Sequence, residues 1–141
     1  MIERSFTLET DLFEATTPGK HFINPRCFGE DFAAWLRERL QERGVDASQP
    51  IQEDWGWVMI APFRGSRFTL SIGVMDESIG RTPAEWRVGV SYEKPLNGFR
   101  AWFRSPPTKE LSDLARLLDE ILHQEQRFQN VVAEYLVRPL E

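Results

Sequence analysis

The stretch "EDWGWVMIAPF", Glu53 to Phe63, decides how the fold is read. Two tryptophans flank a glycine, and an unbroken apolar run follows. A strand with one face in water alternates apolar and polar residues. Here Trp55, Trp57, Met59, Ala61 and Phe63 fall on one side, and Gly56, Val58, Ile60 and Pro62 on the other. Both sides are apolar, so the second face faces more core, a partner or a ligand.

Two more strands follow at 67–75 and 85–93. "RGS" (64–66) is short enough to make the first pair an antiparallel hairpin, and "DESIGRTP" (76–83) makes a longer loop. Phe68, Leu70, Ile72 and Val74 share one face of their strand, as do Trp86, Val88, Val90 and Tyr92 of theirs. The reverse faces are mostly small: Thr69, Ser71, Gly73 and Met75, then Arg87, Gly89, Ser91 and Glu93. Glycine weakens a strand unless something approaches the backbone closely. Two arrangements are open. Val58 and Ile60 join the core, and Trp55, Trp57 and Met59 lie over the small-residue face with Arg87 placed for a cation–π contact. Alternatively the tryptophans are core and Val58 and Ile60 look outward. A one-residue slip of register interchanges the two.

Upstream, "SFTLETDLF" reads as a strand through Phe6 and Leu8, "TTPGK" as a turn, and "HFIN" as a second short strand. Residues 1–28 are expected to fold across the second face. A helix is expected over about 29–43, with Phe32, Trp35, Leu36 and Leu40 on one stripe. Glu30 and Asp31 suit its start, Arg39 and Arg43 its end, and Gly44 its exit. Downstream, "FRAWFR" (99–104) reads as a further strand, with Arg100, Trp102 and Arg104 on its outer face as an interface anchor. Ser105 or Thr108 then caps a C-terminal helix. Leu111, Leu114, Leu117, Leu118, Ile121 and Leu122 form its stripe, and Phe128, Val131, Val132, Tyr135 and Leu136 continue a helical spacing. One long helix, or two broken near "HQEQ" (123–126), is expected over about 107–137. The expected fold is α+β: one domain, with an antiparallel sheet of about four to six strands and both helical segments on one face.

A chain of 141 residues buries about 70% of its unfolded surface, enough for a core without disulfide or metal. The net charge of -5 argues against a nucleic-acid binder. The single cysteine, Cys27, fits a reducing cytoplasm. No secretory signal layout and no membrane-length apolar run is present. His21 and His123 are far apart, and no nucleophile elbow, zinc-protease motif, Walker loop or dinucleotide fingerprint occurs. No catalytic residue, metal ligand or cofactor is therefore assigned. Glu53 and Asp54 open the tryptophan strand, and Asp76 and Glu77 end its hairpin partner. Antiparallel pairing brings these carboxylates to one rim of the sheet.

"GEDFAAWL" and "EDWGW", an amphipathic helix ahead of a tryptophan hairpin, resemble segments of small uncharacterised bacterial proteins. The resemblance implies a bacterial cytoplasmic origin and carries over no functional residue. The function expected is a non-catalytic protein-interaction or regulatory module, with toxin neutralisation or inhibition as one form. Its candidate contacts are Trp55, Trp57, Met59, Arg87, Arg100, Trp102 and Arg104. A protein partner or self-association is expected ahead of a small molecule, and neither nucleic acid nor membrane. The alternatives are a small-molecule-binding domain or minor enzyme, with its ligand between the sheet and residues 1–28, and a homodimer joined through the second face.

Overall fold

The computed structural model describes residues 2–92 and 106–137. Their order is β1 (Ile2–Thr10), α1 (Glu30–Glu42), β2 (Ile51–Glu53), β3 (Gly56–Phe63), β4 (Ser66–Val74), β5 (Ala84–Tyr92), α2 (Thr108–Gln124) and β6 (Gln129–Val137). The strands form one six-stranded sheet in the order β2-β3-β4-β5-β1-β6. Every neighbouring pair is antiparallel. The α+β class and the antiparallel sheet are as the sequence pattern predicts.

Register fixes the core. Trp57 pairs with Ile72, Met59 with Leu70 and Ala61 with Phe68. Ile72 in turn pairs with Val88 and Leu70 with Val90, and Phe6 and Leu8 of β1 face Val88 and Trp86. All of these are buried. Helix α1 lies over β3 and β4, and α2 over β5, β1 and β6. Phe32, Leu36 and Leu40 of α1 are buried, as are Leu111, Leu114, Leu118, Ile121 and Leu122 of α2, each set at the three-to-four spacing of one helix face. Each such leucine contributes about 1.5–3 kcal/mol by leaving water. Arg64 on the β3–β4 turn pairs with Asp113 and so ties the hairpin to α2.

Four expectations are corrected. The helix over 107–137 ends at Gln124, and Gln129–Val137 form edge strand β6 beside β1. The helix has Pro107 at its N-cap position with no side-chain cap, so Thr108 is its first residue rather than its cap. "HFIN" forms no strand. Residues 1–28 do not cross the second face. Residues 2–10 are a strand within the sheet, and the following loop packs on the helix side. There Phe13 stacks on Phe32 at 4.4 Å and meets Trp86 edge-on at 5.9 Å. The expected strand at 99–104 lies outside the described residues.

Candidate functional site

Trp55 and Trp57 go to different places. Trp57 is 3% exposed and Met59 fully buried. Val58 and Ile60 therefore look outward, which selects the second of the two arrangements. The Trp57 indole N–H donates to the Cys27 carbonyl at 2.7 Å. Phe22 packs against its ring at 5.3 Å. Gly29 approaches so closely that a Cβ there would lie 3.3 Å from the indole and 3.1 Å from the Ile72 carbonyl, and its φ of +142° also favours glycine. The loop before α1 is thus moulded onto Trp57.

Trp55 precedes β3 in the turn from β2 and is 64% exposed. It stands on a cleft of about 610 Å³ on the second face. The floor is Thr69, Ser71 and Gly73 of β4, and Met75, Asp76 and Glu77 wall one end. Across the floor, Arg87 pairs with Glu3 at 3.4 Å. A smaller cleft of about 280 Å³ adjoins it, sharing Trp55, Gly73, Val74 and Asp76 and adding Asn24, Arg26, Cys27, Phe28 and Asp54. Trp55 therefore borders both. Ile51, opposite Val58 on β2, is also exposed and extends the apolar strip along the sheet edge.

The loop wall is held by a polar clasp. Asn24 donates to the Asp54 carbonyl at 2.9 Å, Gln52 donates to the Asn24 carbonyl at 3.0 Å, and the Ile23 N–H donates to the Gln52 side chain at 2.6 Å. The Cys27 thiol donates to the same Asp54 carbonyl at 3.1 Å. Burial pushes the Cys27 thiol above its ordinary range, and the negative charges of Asp76 and Asp54 push it further. A thiol so held is a poor nucleophile at neutral pH. Asp54 and Asp76 line the smaller cleft together and Glu77 joins Asp76 at the larger one, so three of the four carboxylates expected at this rim share it.

Of the sequence-predicted site residues, Trp55 and Arg87 line one cleft, whereas Trp57 and Met59 belong to the core. Arg87 ends in an ion pair with Glu3, not over an indole. Arg100, Trp102 and Arg104 lie outside the described residues. The sequence reading missed Asn24, whose place depends on hydrogen bonds to Gln52 and Asp54 about thirty positions away, for which a one-dimensional pattern carries no signal, and Arg26, whose N–H donates to the Asn24 side chain at 3.0 Å. A third cleft, about 410 Å³ between α2 and β6, is lined by Arg4, Ser112, Arg116, Asp119 and Glu134, and Arg4 spans it to donate to Ser112 at 2.9 Å. Among the described residues, no three His, Cys, Asp or Glu side chains converge closely enough to hold a metal ion, and no helix is long and apolar enough to cross a membrane. No protein-family model, curated protein or solved structure matches the chain.

Proposed function

We propose that the protein is a binding module that takes a segment of a partner protein into the double cleft around Trp55. One observation carries this reading: a tryptophan 64% exposed beside a trough of small side chains, two residues from a tryptophan that is buried. Tryptophan is among the residues that dominate binding energy when a partner covers them. A fold that buries Trp57, Trp86 and Met59 to a few per cent gains nothing in stability from leaving Trp55 in water. The floor of Gly73, Ser71 and Thr69 lets a partner approach the β4 backbone. Regulation or inhibition of the partner is the form such a module takes.

The test compares complexes recovered with the wild type and with the Trp55→Ala and Gln41→Ala variants from the native host. Gln41 is exposed on α1, remote from the cleft. Loss of the same discrete partner with Trp55→Ala alone is expected. Recovery of identical partners with all three proteins contradicts the proposal.

A further inference from the structure

We infer that the segment taken at Trp55 carries a cationic side chain, best an arginine, presented by a partner protein. Three carboxylates line the clefts that Trp55 borders, Asp54 beside it on the turn and Asp76 and Glu77 across from it, and a fourth, Glu53, ends β2 two residues before it. None of the four makes an ion pair among the described residues. On the cationic side, Arg87 is already matched by Glu3, leaving Arg26 at the far wall of the smaller cleft. Among the described residues the rim therefore has an excess of negative charge, in a chain whose net charge is -5.

The spread of these carboxylates selects the kind of cation. They do not converge on a metal-sized point, so the acidity addresses a charge carried on a larger group. An exposed indole flanked by carboxylates suits a guanidinium: its plane stacks on the ring while its edge donates to carboxylate oxygens. The apolar stem of such a side chain matches the neighbouring apolar strip of Ile51, Val58 and Ile60. A nucleic acid would be repelled by the same rim.

This partner chemistry rests on the cleft being a contact surface, and three peptides separate the two ideas. The probes are Ac-Leu-Arg-Leu-Arg-Leu-NH2, its Glu-for-Arg counterpart and its Gln-for-Arg counterpart. Each is titrated into the full chain while the Trp55 indole N–H and the Gly73 amide are followed by NMR, with the Trp55→Phe variant identifying the indole signal. The arginine peptide is expected to move both signals, at least ~tenfold more tightly than the glutamine peptide. That advantage is expected to shrink as salt rises, and to vanish in an Asp76→Lys/Glu77→Lys variant whose denaturation midpoint matches wild type. Equal binding of the arginine and glutamine peptides at Trp55 overturns the cationic partner and leaves the contact surface standing. Preference for the glutamate peptide does the same. No movement of either signal by any peptide overturns both.

Discussion

Gly56 separates two tryptophans of opposite fate. Trp57→Ala removes a buried ring and leaves the Cys27 carbonyl without its donor, so a loss of about 3–5 kcal/mol is expected in urea unfolding. Trp55→Ala should stay within about 0.5 kcal/mol of wild type. Equal losses would contradict the assignment. The glycines divide in the same way. A Cβ at Gly56 would lie 3.0 Å from the Ile72 carbonyl, whereas at Gly73 the nearest atom is the Trp55 carbonyl at 3.9 Å. Gly73→Ala is therefore expected to be neutral or stabilising by up to about 1 kcal/mol, and Gly56→Ala destabilising. Cys27 gives a pH test. Its folded thiol ionises above the ordinary range, so between the unfolded and folded values the folded chain holds a proton that the unfolded chain has lost. Stability should then fall as pH rises from the unfolded thiol's pKa through the folded one, and a Cys27→Ala variant should lose that part of the slope. At this scale the sequence showed that the tryptophan strand has two apolar faces. It did not show which face is core, because that follows from the register of β3 against β4, and the loop that covers Trp57 comes from thirty residues upstream.

Among the elements, the hairpin β3–β4 and strand β5 were legible within about a residue, because turn chemistry and alternation agree there. The turn between β3 and β4 is Arg64-Gly65, both at positive φ, as a two-residue hairpin requires. Strand β6 was not legible, and the reason is physical. Its register against β1 shifts between Thr7 and Glu9, and Asn130 takes φ of +54°. That bulge inserts one residue, so buried Phe128 and partly buried Val131 stand three apart, the interval of a helix turn. A bulged strand directly after a leucine-striped helix therefore reads as more helix, although Val131 and Val132 are β-branched and suit a strand. Asn130 tolerates the left-handed region where most residues do not. Asn130→Gly is expected to keep full stability, and Asn130→Val to lose about 1–2 kcal/mol by thermal or chemical unfolding. Equal stability of the two variants would contradict the bulge.

At the scale of the molecule, both helices and the loop before α1 load one face of the sheet. Among the described residues, no helix or loop crosses the other. This asymmetry turns the double-sided tryptophan strand from a packing curiosity into a candidate surface: one indole closes the core, and the other stands in water on the reverse side. The acidic rim was legible because antiparallel pairing must bring the ends of β3 and β4 together. The loop that completes the smaller cleft was not, because Asn24, Gln52 and Asp54 meet only once the sheet exists. The most direct test is site-specific photo-crosslinking. Benzoyl-phenylalanine is placed at position 55, and in a parallel protein at Gln41 on the outer side of α1, and both are irradiated in the native host. A discrete adduct from position 55, absent from position 41 and suppressed by charge reversal at Asp76 and Glu77, is the predicted result. No adduct at 55, or the same adducts from both positions, would contradict a binding surface at Trp55.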